Sequence, residues 1–337
     1  MVFRAFFLFT IFIFSGVAYA QSPVDSLRAL IDKTADDSLR FDLYIQLSYE
    51  EMYESEEKAK AAASMARSYA EKIECDQCVA RAIGQTGNID YVNGNYAEAT
   101  RSYVDALRIA QNIKNDRMIA AITGNLGNVE YSMSNHLQAS RYYQEALDAA
   151  KRLQDTTVIL SNLNNLSSLF IEQDAFIEAE VLLLESLEVL AVFDDPYFKA
   201  TTNFQLAKIR RFQNDLRRSM ELIQEVLDYC MAEEDYWLII DAFIAKGGIH
   251  VDLQQFGQAN QAFNSAIAYA KLTGSSEQLM ITYNNITDMN ARLDRYEQAY
   301  KYHRQYSDLK DSLRSIGKQR NINELREQFN ADVQEKE

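Results

Sequence analysis

Three groups of side chains in this sequence have the types and spacings from which chemistry is built. The first is Cys75-Asp76-Gln77-Cys78, with a lone Cys230 far downstream. A zinc site needs about four ligands, and neither a second cysteine pair nor a nearby histidine accompanies Cys75 and Cys78. A thioredoxin-type redox centre needs a βαβ setting that the flanking sequence lacks. A local disulfide between Cys75 and Cys78 is the favoured reading if the chain is exported; free thiols and metal or redox use stay open. Cys230 reads as a small buried hydrophobe. The second group is His136, His250 and His303, widely separated, with no H-E-x-x-H and no arguable Ser-His-Asp set. Gly84-x-x-Gly87, Gly124-x-x-Gly127 and Gly247-Gly248 resemble phosphate-loop fragments, but no strand precedes them, and they read as helix-packing glycines. No catalytic residue, metal site or cofactor is therefore expected, and the chain reads as a non-enzyme.

The third group is basic. Lys208 and Arg211 lie three apart, so on a helix they share a face, and Arg210, Arg217 and Arg218 are close by. The chain holds 34 Lys+Arg against 49 Asp+Glu, a formal charge of −15. That balance repels nucleic acid and anionic headgroups, which are excluded as partners. It also makes this basic cluster stand out as a candidate for a carboxylate or an acidic segment; the alternative is a solvated basic face. Glu50, Glu51, Glu54, Glu56 and Glu57 read as a solvated acidic surface.

The elements that position these groups are helices. Only 11 Gly and 2 Pro occur in 337 residues, where ordinary usage would give about 24 and about 17. The deficit excludes most turn-rich β folds and most glycine-rich nucleotide-binding folds. Residues 1–20 form a separate segment, with Arg4 as the one charge, an apolar run from Ala5 to Val17, and Ala18-Tyr19-Ala20 at its end. These are the parts of a cleaved secretory signal, cut after Ala20. The mature chain is then expected to be periplasmic and without a membrane span.

A period of 40 residues organises the remainder. Stepping from Ala99 gives Ala59, Ala139, Ala179, Ser219, Ala259 and Ala299. Seven residues beyond each lie Ala66, Ala106, Ala146, Ser186, Val226, Ala266 and Tyr306. Twelve before lie Leu47, Gly87, Gly127, Ser167, Ala207, Gly247 and Thr287. Small residues at fixed places let paired helices approach closely. Asp116, Asp155, Asp195 and Asp235 fall where N-caps are needed, and Pro196 follows one of them. Val24, Leu27, Leu30 and Ile31 read as a short helix capping the first unit, since a repeat stack must cover its end faces.

The copy Asn125-Leu126-Gly127-Asn128-Val129-Glu130-Tyr131, followed by Ala139, Tyr143 and Ala146, resembles the tetratricopeptide repeat family. The resemblance implies an all-α fold, a right-handed α-solenoid of seven 40-residue helical pairs over residues 40–319. An N-terminal capping helix occupies 21–39 and a C-terminal helical extension 320–337. The family's period is 34, and its late Pro is replaced here by Glu71, Gln111, Lys151, Ala191, Met231, Lys271 and Asp311, so the second helices should run on about a turn longer.

The resemblance further implies that the first helix of each pair lines a groove. Its groove-facing positions hold Gln85, Asn88, Asn125, Asn128, Asn165, Ser168, Gln205, Lys208 and Asn285, with Arg211 on the same face as Lys208. Amide side chains donate and accept, so such a ladder suits an extended peptide or protein segment whatever its sequence; the alternative is that these amides link adjacent helices. Tyr306-Ser307-Asp308-Leu309-Lys310-Asp311-Ser312-Leu313 resembles the exit segment of secreted sensor regions that precede a membrane span and a histidine kinase or DNA-binding output domain. This implies a signalling input whose C-terminal helix docks on a membrane partner. The sequence stops at Glu337 with neither span nor output domain, so a free-standing scaffold or assembly factor for envelope proteins is the alternative.

Overall fold

The computed structural model describes residues 23–52 and 54–314; the expected secretory signal over 1–20 and the expected helical extension over 320–337 lie outside them. Every regular element among the described residues is a helix. The chain forms two compact units, one up to Val129 and one from Glu130. The first contains α1 (Pro23–Lys33), α2 (Asp37–Glu51), α3 (Glu56–Lys72), α4 (Asp76–Val92), α5 (Tyr96–Asn112) and most of α6 (Asp116–Ser132). The second contains α7 (His136–Leu153), α8 (Thr156–Glu172), α9 (Phe176–Leu190), α10 (Pro196–Phe212) and α11 (Leu216–Glu233). It continues with α12 (Tyr236–Asp252), α13 (Phe256–Leu272), α14 (Ser276–Arg292) and a helical stretch over 296–314.

Within each unit a first helix packs on the second helix of its own repeat: α2 on α3 and α4 on α5, then α8 on α9, α10 on α11 and α12 on α13. Successive first helices also touch within a unit, as α2 does α4, α8 does α10, α10 does α12 and α12 does α14. The helices α5, α7, α9, α11 and α13 start 40 residues apart, so the period read from the sequence is the structural one.

The short connections follow one rule that composition concealed. Gly94, Ser134, Asp174, Asn214, Gln254 and Asp294, again 40 apart, all take the left-handed conformation. So do Glu74, Lys114, Gln154, Glu234 and Gly274 between repeats. Each lets the next amide bond back into the helix just ended, as in Asn95 N–H to Asp90 C=O at 2.8 Å and Asn115 N–H to Ala110 C=O at 2.9 Å. This is the usual left-handed helix stop, here mostly without glycine. The missing member of the second series is Asp194. There α9 ends at Leu190, ahead of Ala191, and the chain enters α10 through Asp195-Pro196. The longer second helix expected from the lost Pro therefore holds at Glu71, Gln111, Lys151, Met231 and Lys271 but not at Ala191.

Asp155, Asp195 and Asp235 cap α8, α10 and α12 by accepting the N–H of Val158, Phe198 and Leu238. Asp116 does not act as a cap. Asn115 takes that role by accepting from Met118 N–H at 3.1 Å, and Asp116 becomes the first residue of α6, where its charge suits the helix dipole. The capping helix α1 covers the first repeat by burying Ile31 against Leu43, Leu47 and Ala62. Arg28 of α1 reaches the buried Glu51 at 2.6 Å, which removes Glu51 from the solvated surface expected for that cluster. Leu30 departs from the expected stripe and points to solvent.

Core packing rests on small residues facing large ones. Ala59, Ala99, Ala139, Ala179, Ser219 and Ala259 are all completely buried. Where serine replaces alanine its hydroxyl is satisfied: Ser219 donates to the Ala207 carbonyl at 2.7 Å, and Ser186 pairs with Thr202 at 2.9 Å. Gly87 lies under the Tyr103 ring and Gly247 under that of Phe263, where an added Cβ would come within 2.8 and 2.4 Å of ring carbons. Gly84, one turn away from Gly87, faces open space. We predict that Gly247→Ala costs about 1–3 kcal/mol through overpacking, whereas Gly84→Ala gains up to about 1 kcal/mol from helix propensity. Urea denaturation of the two variants checks the contrast.

Candidate ligand-binding site

The amide ladder is committed largely to the protein itself. In the first unit Asn88 donates to Gln85 at 2.9 Å, while its carbonyl oxygen accepts from Tyr103 Oη at 2.8 Å and from Asn125 at 3.4 Å. Gln85 is buried, and its Nε2 has no hydrogen-bond partner. Asn128 and Asn165 are half-buried and each has an interaction partner. Asn285 donates to the Ile281 carbonyl of its own helix at 3.0 Å. Ser168 is half-buried, and Gln205 is half-buried with its Oε1 unpaired. These amides act first as ties between and along helices, the alternative that the spacing left open.

The second unit brings Lys208 and Arg211 together at a cavity of about 340 Å³. Ala207, Ala245, Ile249 and the rings of Phe176 and Phe212 make its apolar lining; Lys208, Arg211, Asp252 and Ser219 are its polar members. Each element contributes for a reason already visible in the fold. Helix α10 presents Lys208, Arg211 and Phe212 in its last turns, and the start of α9 supplies Phe176. Phe176 stacks on Phe212 with ring centroids 3.8 Å apart, although Phe212 remains 65% exposed. Gly248 of α12 leaves the room that Arg211 occupies: a Cβ there would lie 2.4 Å from a guanidinium nitrogen.

Charges around the cavity are unequally satisfied. Arg211 Nε meets Asp252 Oδ2 at 2.6 Å, and Arg210 pairs with Glu180 at 2.5 Å. Burial works against the Glu180 charge, but hydrogen bonds from Arg210 and Gln213 hold its carboxyl below the usual range. Arg217 and Arg218 both pair with Glu221 on the exposed face of α11, so they belong to a solvated face and not to the cavity. Lys208 rests its ammonium 4.6 Å from the Phe204 ring centroid. Burial pushes that ammonium below the ordinary lysine range, opposed by the carboxylates of Asp241 and Glu172. Asp241, one first helix along, is pushed up to about 6 by burial, against the pull of Lys208 and with Glu277 adding to the rise.

Phe212, Asp252 and Asp241 escape a reading based on the repeat, because each departs from its own 40-residue register; Phe176 keeps the bulky register of Tyr96, His136, Leu216, Phe256 and Tyr296. Phe212, for example, stands where other copies have Ser132, Glu172 and Asp252. An aromatic replacing polar residues at a helix end was the available signal.

Cys75 and Cys78 are joined as a disulfide in the first turn of α4, where Cys75 Sγ also accepts from Cys78 N–H at 3.2 Å. Cys230 is free and buried. His136 packs edge-on to Tyr131 and His303 against Tyr306, and His250 bonds Gln255 at 2.7 Å. No cluster of three or more His, Cys, Asp or Glu side chains suited to a metal occurs among the described residues.

Paired antiparallel helices on a 40-residue period define a helical-repeat scaffold. Residues 79–152 match the sequence profile described as Tetratricopeptide repeat, so this stretch of the chain carries tetratricopeptide repeats. No curated protein sequence matches it. Among solved structures, a Rap protein complexed with competence and sporulation factor aligns at TM-score 0.66 and 15% identity, over 86% of this chain and 80% of its own. The Rap conjugation gene regulator of plasmid pLS20, in complex with the Phr* peptide, aligns at 0.67 and 13%, over 83% and 76%. The apo quorum sensor NprR from B. thuringiensis aligns at 0.53 and 11%, over 85% and 91%. At these identities the likeness is one of fold.

A raised carboxylate pKa ties the site to stability. Because Asp241 binds its proton more tightly when folded, its contribution to stability is fully present below about pH 4 and is lost as pH rises through about 6. We predict that Asp241→Asn is more stable than the parent at pH 7.5, by up to about 3 kcal/mol, with the gap closing by pH 4. Urea titrations at the two pH values measure it.

Proposed function

We propose that this chain is a non-enzymatic binding module for a protein or extended peptide. We further propose that it is exported to the periplasm and acts as the input part of a signalling system, with the C-terminal extension docking on a membrane partner. The observation that carries the binding reading is the cavity at the ends of α10 and α12, where Lys208 and Arg211 converge beside the stacked pair of half-buried Phe176 and exposed Phe212. Lys208 selects acidic character in the partner, with Arg211, held by Asp252, shaping the cavity beside it. Complexes of similarly folded proteins with a peptide and with competence and sporulation factor support binding as the use of such a scaffold. The leader-like residues 1–20 support export, and no helix among the described residues is long and apolar enough to cross a membrane.

The Cys75–Cys78 disulfide lies in the first turn of α4, in an all-helical setting and not the βαβ setting of a thioredoxin-type redox centre. A second reading, a free-standing scaffold for envelope proteins, is favoured by one observation. Ile177, Val181 and Leu184 form an exposed apolar stripe along α9, the kind of surface that a constitutive partner covers.

Capture from periplasmic extract on immobilised residues 21–337 tests the main reading. We expect recovery of a bound protein to fall about tenfold or more in Lys208→Gln/Arg211→Gln, as loss of charge-assisted contacts implies. Recovery unchanged both there and in Asn125→Ala/Asn128→Ala/Asn165→Ala would overturn binding through the first helices.

A further inference from the structure

We propose that the cavity between α10 and α12 is an anchor site for one bulky apolar side chain lying next to a single carboxylate. This rests on the reading of the chain as a peptide-binding module and says which part of a partner the module reads.

Size and lining set the apolar half of the ligand. About 340 Å³ holds one large side chain with its flanking group, not a length of strand. Ala207, Ala245 and Ile249 offer no hydrogen-bonding side chain, so a polar group seated against them would be stranded. The Phe176–Phe212 stack leaves Phe212 mostly in water. A ring or branched aliphatic group laid against it removes apolar surface from solvent on both partners.

Counting charges sets the polar half. Of the cations on this part of α10, Arg210 is taken by Glu180 and Arg211 by Asp252. Arg211 is also fixed in place, since its guanidinium fills the space that the missing Gly248 Cβ leaves. It is a positioning residue that narrows the cavity and presents Asp252 beside it. Lys208 is the cation of the cavity without a direct ion-pair partner among the described residues; its ammonium lies over the Phe204 ring, and the carboxylates of Asp241 and Glu172 act on it from farther off. Its ammonium is half-buried beside apolar lining, where a charge-assisted hydrogen bond is stronger than in water. One unpaired cation matches one carboxylate. A phosphate monoester carries nearly two charges at neutral pH and would face Asp252 and Asp241 with a single lysine to offset it. The site therefore discriminates carboxylate from phosphate as well as charged from neutral.

N-acetylphenylalanine is the minimal probe, carrying one ring and one carboxylate. Its amide lacks the charge, N-acetylglycine lacks the ring, and phenyl phosphate exchanges the anion. Binding of the four to residues 21–337 is measured by protein-observed NMR titration, on the parent, Lys208→Gln, Phe212→Ala and the exposed control Arg217→Gln, with circular dichroism confirming the fold of each. We expect saturable binding of N-acetylphenylalanine, weakened about tenfold or more by loss of the charge, in the amide or in Lys208→Gln. Loss of the ring, in N-acetylglycine or in Phe212→Ala, should weaken it comparably, phenyl phosphate should bind more weakly, and Arg217→Gln should leave it unchanged. Equal binding of acid and amide, equal binding to the parent and Lys208→Gln, or no saturable binding at all overturns the assignment. If the probe fails while Lys208→Gln/Arg211→Gln still abolishes partner capture, the anchor site falls and the binding module stands. If the probe binds and no partner is captured, the reverse holds.

Discussion

The structure depends on how near two helix backbones can come where one of them carries almost no side chain. Gly87 beneath Tyr103 and Gly247 beneath Phe263 leave no room for a methyl group, and buried alanines or serines hold the matching position on every second helix from α3 to α13. Close approach of this kind is what lets a 40-residue unit bury a core although it consists of only two helices. It also explains why the sequence repeats with so little slippage. A bulky residue at one of these places pushes a helix pair apart and disturbs its neighbours in the stack.

Short, rigid connections follow from the same constraint. With helices held this close, the chain must reverse within about three residues, and one left-handed residue per turn does it. That Glu74, Lys114 and Gln154 adopt this conformation shows tertiary packing overriding local preference, at a cost of roughly 1–2 kcal/mol per residue. The connection from α9 to α10 uses an Asp-Pro entry instead. The repeat that follows it is also the one whose first helix carries Lys208, Arg211 and Phe212.

Much of the fold was legible before any coordinates. Residue size is imposed by packing, and packing recurs every 40 residues, so Ala99 and its equivalents announced the second helices, while Asp155, Asp195 and Asp235 announced starts of first ones. The turns were only half legible, because Lys114 and Gln154 carry no turn signature. Neither did the sequence show that Asn115 displaces Asp116 as a cap. Lys208 and Arg211 stood out by charge alone, and the structure places both at the cavity. The amides were misleading in type: Gln85, Asn88 and Asn125 look alike whether they face a ligand or one another, and only geometry shows that they bond to each other. Phe212, Asp252 and Gly248 belong to the cavity through contacts between neighbouring repeats, which comparison within a single register does not display.

The central claim is that the ends of α10 and α12 receive the partner. Hydrogen-exchange mass spectrometry of residues 21–337, with and without the protein captured on them, tests it most directly. The account predicts added protection in peptides covering 204–212 and 245–252, with the exposed stripe of α9 at 177–184 unchanged. Protection confined to that stripe, or absent from both α10 and α12, would contradict it.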